Sequence, residues 1–360
     1  MMRALRSPLH EMTQTTATCL WNDSADPDDL RWSIEQGGVG ATCNPVIAHG
    51  VLKARVDEWR PRIEALIAKR PSATEDEIGW AAVEALSIDA AALLLPAFER
   101  HRGRNGRLSI QTDPRLYRDS EAIVEQAAAF NTLAPNIIVK IPATRAGITA
   151  IEAATARGIS VNATVSFTVP QALAVGDAIE RGLKRREAQG LDVSRMGPVC
   201  TIMVGRLDDW LKVVKEKEGI AVDPGHLEWA GVATFKRAYA IYRERGYRTR
   251  LLCAAFRNQL HWSELIGGDV VISPPPEWQR RFAASELDIR SRIDTPVDPH
   301  IVDDLYSRFE DFRRAYDPDG LTVDQFDAFA PTRRTLRQFL GACDDLRALV
   351  RDIMIPNPDR

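Results

Sequence analysis

The chain has 360 residues, of which 45% are hydrophobic and 27% are charged, and its net charge is −3. This length is enough for one large domain or two smaller ones, and the modest charge, with a pI of about 6.1, argues against nucleic acid or a membrane surface as a partner. No stretch approaches the roughly 18 consecutive apolar residues of a membrane span. Residues 1–12 lack the apolar segment of a secretion signal, so a cytoplasmic protein is expected.

The histidines and cysteines are spaced in a way that predicts neither a metal site nor disulfides. None of the six histidines lies three or four residues from another, so no metal centre is expected. The cysteines are far apart, contain no CxxC pair, and lie mostly in apolar, strand-like runs; they are Cys19, Cys43, Cys200, Cys253 and Cys343. This pattern favours buried free thiols in a reducing compartment.

Short β-rich runs alternate with longer amphipathic patterns along most of the chain. The predicted strands are continuous apolar runs, as is typical of parallel strands covered on both faces, and lie at 18–22, 38–43, 106–111, 137–141, 159–164, 199–204, 250–256 and 269–273. The predicted helices lie at 75–101, 119–131, 145–157, 168–187 and 227–246. Such an alternation predicts a parallel α/β sheet.

Eight strands predict a (β/α)8 TIM barrel over residues 18–273, with a doubly wound sheet as the alternative. No GxGxxG follows the first strand, which disfavours the doubly wound fold. Apolar residues three and four positions apart predict two further helices, at 301–316 and 332–354. These helices are expected to form a C-terminal extension at 274–355 that packs outside the barrel, so that residues 1–360 form a single domain.

Polar residues lie at the carboxyl ends of the predicted strands, at the end of the barrel where active sites of this fold lie. They are Asp23, Asn44, Gln111, Lys140, Asn162, Thr164, Thr201 and Arg257, with Arg206 just beyond the sixth strand. A mixed polar set around a single lysine in apolar surroundings is typical of a Schiff-base aldolase site. The basic stretch at 100–107 precedes the third strand and is expected to be a solvated turn at the opposite end.

Several sequence blocks resemble the transaldolase family. They are GATCNPVI (40–47), GRLSIQTDPRL (106–116), NIIVKIPATRAGITAIE (136–152), GISVNATVSF (158–167), VGRLDDW (204–210) and CAAFRN (253–258). The segments DGLTVDQF and TRRTLRQFL, within 319–340, resemble the helical extension of bacterial members, and the similarity covers roughly residues 18–355. The resemblance implies a barrel that transfers a dihydroxyacetone unit between sugar phosphates without a metal or other cofactor. A homodimer is a further expectation from the family.

Lys140 has two interpretations from the residues alone. It is either a solvated lysine at the end of a strand or an amine kept in a dry pocket. Its apolar neighbours, IIV and IP, favour the pocket, because desolvation disfavours the ammonium form. Lowering a lysine pKa from about 10.4 towards 7 costs about 4–5 kcal/mol, at about 1.36 kcal/mol per unit. The resemblance implies that Lys140 is the Schiff-base lysine.

Three more site residues receive roles from the resemblance. Asp23 precedes SADPDD, a composition typical of a helix start, so it is either an N-cap or the general base implied by the family, which takes the proton of the sugar C4 hydroxyl. Asn44 and Asn162 are implied to bind hydroxyls of the donor sugar, although Asn44 would also suit a turn. Thr164 is implied to hold a catalytic water.

The resemblance also implies roles for residues further along the chain. Thr201 stands in place of a serine that lines the same pocket. Arg206 and Arg257 are implied to bind the substrate phosphate, which suits a guanidinium group, although surface ion pairs are the usual role of arginine. The sequence departs from the family pattern at two further positions. Ala255 stands in place of a serine that contacts phosphate, and Cys43 stands in place of a threonine.

Gln111 is the most consequential departure from the family pattern. It stands where transaldolases carry a glutamate that activates the catalytic water, and an amide cannot accept a proton near neutral pH. The related fructose-6-phosphate aldolases have glutamine there, together with a tyrosine at the position of Met203, where transaldolases have phenylalanine. Because Met203 is neither, a thioether is expected to border the water site.

The expected function is therefore a Schiff-base transaldolase of the sedoheptulose 7-phosphate and glyceraldehyde 3-phosphate type. A fructose-6-phosphate aldolase-like enzyme, or a transaldolase-like enzyme of a specialised sugar pathway, is the alternative. A further alternative comes from a different functional class, namely a barrel that binds sugar phosphates without catalysing a reaction. The presence of Asp23, Lys140, Asn162 and Thr164 argues against this last one.

Overall fold

Eight apolar runs of the sequence form parallel strands that pair in chain order and close into a barrel. The computed structural model describes residues 5–359. The strands are β1 (Cys19–Asn22), β2 (Gly38–Cys43), β3 (Arg107–Gln111), β4 (Ile137–Pro142), β5 (Val161–Thr164), β6 (Val199–Met203), β7 (Arg250–Ala254) and β8 (Val271–Ile272). The (β/α)8 barrel is confirmed and the doubly wound alternative is wrong, because β1 pairs with both β2 and β8.

Helices surround the strands and continue beyond the last of them. They are α1 (Pro8–Thr15), α2 (Pro27–Glu35), α3 (Pro45–Ala54), α4 (Val56–Lys69), α5 (Glu75–Arg100), α6 (Ser120–Asn131), α7 (Arg145–Ala156), α8 (Val169–Ala188), α9 (Val204–Glu218), α10 (Pro224–Leu227), α11 (Ala230–Arg245), α12 (Leu260–Ser263), α13 (Pro276–Ala283), α14 (Pro299–Arg308), α15 (Glu310–Tyr316) and α16 (Ala330–Met354). Two 3-10 helices lie at Pro114–Leu116 and Val323–Ala328. The predicted helix at 301–316 is two helices, because Phe309 has an extended backbone between α14 and α15.

Threonine caps fix where the helices after β4 and β5 begin. The Thr144 side chain accepts the N–H of Gly147 at the start of α7, and the Thr168 side chain accepts the N–H of Gln171 at the start of α8. Each such cap contributes about 1 kcal/mol. The caps place both helix starts at the carboxyl end of the barrel, beside the strand ends that carry the candidate site.

The interior of the barrel below the strand ends is filled by apolar side chains. This internal cluster consists of Trp21, Ile138, Val199, Leu252, Ala254 and Val271, all buried. A Cβ atom at position 40 would lie 2.4 Å from the Trp21 ring, so only glycine on β2 leaves room for the indole. The cluster therefore forms a dry floor beneath the carboxyl end.

The helix α16 crosses the rim of the carboxyl end. Near its start, Thr335 lines a cavity together with Arg206 of α9. Near its end, Arg351 forms an ion pair with Glu75, the first residue of α5, at 3.0 Å. α16 packs on α3, α4 and α5, outside the strands of the barrel, and Thr335 near its start lines a cavity beside the candidate site.

α5 is the one helix within residues 5–359 that is long and apolar enough to cross a membrane, and 56% of its most apolar window is buried inside the fold, as is typical of a core helix.

The prediction of a solvated turn at 100–107 is wrong for Asn105 and Arg107, because both side chains are buried. Arg107 donates to the carbonyls of Gly103 and Ile137 at 2.7 and 3.1 Å, and burial lowers its pKa to about 10.

Candidate active site

Lys140 lies on β4 with amide side chains on both neighbouring strands. Its register partners are Gln111 on β3 and Asn162 on β5, and only 3% of Lys140 is exposed. Burial lowers the pKa of Lys140, and the positive charge of Arg206 adds to this effect, while the carboxylate of Asp23 opposes it. A buried lysine with a lowered pKa has a larger neutral fraction, and the neutral amine is the nucleophilic form.

The absence of hydrogen bonds to its amine among residues 5–359 distinguishes Lys140 from the other buried lysine, Lys236. The Lys236 ammonium donates to Glu264 at 2.9 Å and to the carbonyls of Arg292 and Thr295 at 2.9 and 2.8 Å. Burial lowers the pKa of Lys236 as well, but its three hydrogen bonds hold the ammonium in place. The amine of Lys140 has no hydrogen-bond partner within residues 5–359, so it is available to a ligand.

Asp23 follows β1 directly and faces the neighbouring strand. Its Oδ1 accepts a hydrogen bond from the Thr42 hydroxyl on β2. The N-cap of α2 is Asp26, whose side chain accepts the N–H groups of Asp28 and Asp29. Because the capping role belongs to Asp26, Asp23 is left half-buried at the mouth, close enough to Lys140 for their charges to interact.

A chain of buried hydrogen bonds crosses the barrel on one side of Lys140. The Thr201 hydroxyl donates to Oδ1 of Asn162 at 2.7 Å, and Nδ2 of Asn162 donates to the Ser109 hydroxyl at 3.0 Å. All three residues are buried. The network fixes which face of the Asn162 amide donates and which accepts, and Ser109 is a member that the sequence analysis did not single out.

Asn44 both opens a helix and faces the mouth of the barrel. Its Oδ1 accepts the N–H of Ile47 at 3.0 Å and caps α3, as the alternative turn interpretation expected. Its amide nitrogen makes no hydrogen bond to the described residues and can still donate to a ligand. The capping and ligand-binding interpretations of Asn44 are therefore compatible.

Gln111, Thr164 and Met203 are the last residues of their strands. Oε1 of Gln111 is buried and has no hydrogen-bond partner in the part of the chain that the structure describes. The Thr164 hydroxyl lies 3.9 Å from the Met203 sulfur, so a thioether does border Thr164. A buried amide oxygen without a partner costs about 1–3 kcal/mol, which a bound water or ligand group would recover.

Arg206 and Arg257 approach each other because two segments pack closely. A Cβ at Gly205 would lie 2.0 Å from the Ala255 carbonyl oxygen and 2.6 Å from Cγ of Arg257, so glycine allows the start of α9 to touch the segment after β7. Arg257 forms an ion pair with Asp209 at 2.8 Å. Burial and the charge of Arg257 lower the pKa of Arg206 to about 10, and this guanidinium has no carboxylate partner among residues 5–359.

The backbone is strained at two positions in the same region. Val165 after β5 has φ +52° and Ala255 after β7 has φ +65°. Left-handed backbone costs a non-glycine residue about 1–2 kcal/mol, and more for a β-branched residue such as valine. Strain of this kind concentrates at functional sites, where the surrounding structure enforces it.

The cysteines and the other side chains that could ligate a metal are distributed through the fold. Within residues 5–359, no group of three histidine, cysteine, aspartate or glutamate residues is placed to hold a metal ion. Four cysteines are buried, Cys19 is half-buried, and burial raises the pKa of both Cys43 and Cys200 to about 12. The thiols of Cys43 and Cys200 are therefore protonated near neutral pH and do not compete with Lys140 as nucleophiles.

Comparison with known proteins agrees with this arrangement. A family model described as Transaldolase/Fructose-6-phosphate aldolase matches residues 20–322. The chain belongs to this family. Similar proteins of the transaldolase family include the transaldolase of Thiobacillus denitrificans, 35% identical over 71% of this chain and 78% of that protein.

Two further relatives carry similar names. The transaldolase of Mycobacterium marinum is 32% identical over 67% of this chain and 66% of that protein. The protein named transaldolase 2 of Streptomyces avermitilis is 29% identical over 82% of this chain and 85% of that protein. These relatives make this chain a transferase of the transaldolase type.

Proposed function

We propose that this chain forms a Schiff base between Lys140 and the C2 carbonyl of a ketose phosphate and transfers a dihydroxyacetone unit to an aldehyde. The observation that carries the proposal is the buried Lys140 amine, which lies above an apolar floor and has Gln111 and Asn162 as register partners. Family membership supports the same reaction type.

The first step is attack by the neutral amine of Lys140 on C2 of the ketose. The resulting carbinolamine loses water to give an iminium ion, which draws electrons from the adjacent carbon. Thr164 and Gln111 lie where a water could be held, because one has a hydroxyl beside the Met203 sulfur and the other has an unpartnered amide oxygen.

Asp23 is the base for carbon–carbon cleavage. Its carboxylate removes the C4 hydroxyl proton, the C3–C4 bond breaks, and its electron pair neutralises the iminium to give an enamine while an aldehyde leaves. The hydroxyl of Thr42 orients the carboxylate by donating to Oδ1. After transfer, the protonated Asp23 returns the proton to the new alkoxide.

Asn44 and Asn162 hold the dihydroxyacetone unit during the exchange of aldehydes. The network through Thr201 and Ser109 fixes the orientation of the Asn162 amide, and the free amide nitrogen of Asn44 donates to a donor hydroxyl. C3 of the enamine then attacks the acceptor aldehyde, and hydrolysis of the new iminium releases the product and the lysine. Arg206 and Arg257 hold the substrate phosphate through charge-assisted hydrogen bonds.

Borohydride trapping tests the central step. The protein is incubated with fructose 6-phosphate or dihydroxyacetone, reduced with borohydride, and digested for mass spectrometry. The reduced adduct should be found on Lys140 and not on Lys236, whose ammonium is held by Glu264 and two carbonyls. Lys140→Met should abolish the adduct, whereas Lys236→Met should keep it if the variant folds by circular dichroism. An adduct on another lysine, or none with any ketose, would contradict the proposal.

A second candidate reaction is aldol cleavage without transfer, of the fructose-6-phosphate aldolase type. One observation favours it, namely the amide of Gln111 beside Lys140. The two reactions differ in what happens to the enamine without an acceptor aldehyde. Steady release of free dihydroxyacetone from fructose 6-phosphate alone would favour the aldolase, whereas turnover that requires an added aldehyde favours the transaldolase.

A further inference from the structure

A cavity of about 240 Å³ lies between the start of α9 and the first turns of α16. Its walls are formed by Arg206, Asp209, Pro331, Arg334, Thr335 and Gln338. The cavity is therefore shared between a residue implied to bind phosphate and the C-terminal extension. Because α16 begins at Ala330, the cavity also faces the N-terminal end of a long helix, where anions are favoured.

Buried polar atoms in the cavity walls have no protein partner. Nε of Arg206 and the hydroxyl of Thr335 are inaccessible to solvent, and neither makes a hydrogen bond within residues 5–359. Thr335 is completely buried. Leaving such groups unpaired is unfavourable, so they indicate a ligand that accepts hydrogen bonds.

Positive charge exceeds negative charge around the cavity. Arg206 and Arg334 form no ion pair with a carboxylate in the described part of the chain, and Arg257 is paired with Asp209. The walls contain two guanidinium groups and one carboxylate, and because that carboxylate is paired with Arg257 outside the walls, the charges of Arg206 and Arg334 leave an excess of positive charge. A sugar phosphate, with about −1.5 to −2 charges at pH 7, would balance this excess.

Aromatic rings hold the two unpaired arginines at the cavity. The Arg334 guanidinium lies 5.8 Å from the centre of the Trp210 ring, and the Trp210 indole N–H donates to Asp311 at 2.7 Å, which fixes the ring. The Arg206 guanidinium lies 5.9 Å from the centre of the buried Phe339 ring on α16. The two contacts dock α16 on α9 and leave the N–H groups of both arginines free for an anion.

We propose that Arg334 and Thr335 bind the substrate phosphate together with Arg206 and Arg257, so that the C-terminal extension determines the preference for phosphorylated sugars. The proposal rests on the proposed function and adds a specificity role for α16. Arg334 supplies a guanidinium and Thr335 a hydroxyl from a side of the pocket that the strand ends do not reach.

Paired acceptors test this role. The ratio of kcat/KM for glyceraldehyde 3-phosphate to that for glyceraldehyde is measured with a common donor. Arg334→Ala should lower the ratio by roughly tenfold or more, because a charge-assisted hydrogen bond is lost, and Thr335→Val should lower it by a few-fold. Arg334→Lys should restore part of the ratio. Arg333→Ala is the matched control, since this exposed neighbour on α16 lies outside the cavity walls, and its ratio should equal that of the wild type.

Competition by inorganic phosphate provides a readout without phosphorylated substrates. Its inhibition constant against glyceraldehyde as acceptor should rise in Arg334→Ala and stay constant in Arg333→Ala. An unchanged ratio and inhibition constant in Arg334→Ala, or equal losses in Arg333→Ala, would overturn the role of α16. If Arg334→Ala does not fold, Arg334→Gln provides the same test with a polar side chain.

The Lys140 adduct with dihydroxyacetone separates this proposal from the proposed function, because dihydroxyacetone carries no phosphate. No adduct in the wild type overturns the proposed function, and this inference with it. An adduct in the wild type and in every variant, together with an unchanged acceptor ratio, overturns only the role of Arg334 and Thr335.

Discussion

Nε2 of His261 lies 2.8 Å from Oδ2 of Asp208, and both side chains are completely buried. The other ring nitrogen, Nδ1, accepts the backbone N–H of Arg257 at 3.1 Å, so Nε2 carries the hydrogen and donates it to Asp208. Oδ1 of Asp208 accepts the N–H of Gly231 at 2.8 Å. The buried pair thereby ties α9, α11 and the segment after β7 together, and it positions the backbone of Arg257.

Removing Asp208 should cost far more stability than removing its neighbour. Asp208→Ala leaves the Nε2–H of His261 and the N–H of Gly231 buried without an acceptor, and each such unpaired donor costs about 1–3 kcal/mol. Asp209→Ala removes a partly exposed ion pair with Arg257, which contributes about 0–1 kcal/mol. Urea unfolding of the two variants measures the difference. Equal free energies of unfolding for both would show that the buried pair does not fix this region.

Asp23→Asn should still allow the adduct on Lys140 but should slow carbon–carbon cleavage. An amide fills the same space and cannot accept the C4 hydroxyl proton, and a base of this kind typically contributes about 10²–10⁴-fold. Single-turnover release of aldehyde from fructose 6-phosphate, alongside borohydride trapping, measures the two steps separately. Asp28→Asn is the control, because Asp28 is exposed in the first turn of α2. Near-normal cleavage by Asp23→Asn would mean that another residue is the base.

The strand ends could be predicted from the sequence because they follow from local patterns. Each apolar run predicted a strand, and parallel pairing places the residues after the runs at one edge, so Lys140, Gln111 and Asn162 were expected together. The N-cap at Asp26 also had a local signal in Asp26–Pro27, since proline is favoured at the first helical position.

Contacts between distant segments could not be predicted in the same way. Asp208 and His261 are 53 positions apart, and a lone histidine gives no pattern that identifies its partner. The 3.6-residue periodicity of α16 predicts a buried face, but the surface that covers this face depends on tertiary packing. Arg334 was missed for this reason. A homodimer and a cytoplasmic location stay predictions from the sequence and the family.

The rate of adduct formation should rise with pH and level off below pH 10.5. Lys140 attacks only as the neutral amine, and its burial lowers its pKa from 10.5. Because Arg206 contributes to this lowering, Arg206→Gln should move the rise to higher pH. Trapping with dihydroxyacetone from about pH 6 to pH 10 measures the profile, with the exposed Arg243→Gln as control. A profile centred near 10.5 in the wild type would contradict the buried-amine interpretation.

The lowered pKa of Lys140 also makes the free energy of unfolding depend on pH. Between the lowered pKa and 10.5, the unfolded chain binds more protons at Lys140 than the folded chain does, so stability should rise with pH in that window. Lys140→Met removes both the charge and this pH dependence. Urea unfolding of the wild type and the variant at two pH values inside the window checks the sign.

Gln111→Glu should raise the rate of transfer between common sugar phosphates. Gln111 is the register partner of Lys140, and a carboxylate there could move a proton through one water during formation and hydrolysis of the iminium, which the amide cannot do. A gain of at least about tenfold in kcat is expected, which is less than the roughly 10²–10⁴-fold that such a base typically contributes, because the surrounding site is built around an amide. A carboxylate also raises the pKa of a nearby lysine. The kcat values of the wild type and the variant should therefore be compared at a pH on the plateau of each enzyme's own pH profile.

Transfer from fructose 6-phosphate to erythrose 4-phosphate is the assay, and Gln111→Leu is the control that removes the polar group altogether. If the amide of the wild-type Gln111 orients the water, Gln111→Leu should be slower than the wild type. The transfer rate should then decrease from glutamate to glutamine to leucine at this position. Slow hydrolysis in the wild type also predicts that transfer exceeds free aldol cleavage, since an acceptor has more time to capture the enamine. A drop in activity for Gln111→Glu, with an unchanged circular dichroism spectrum, would mean that the amide itself is adapted to a different substrate or to aldol cleavage.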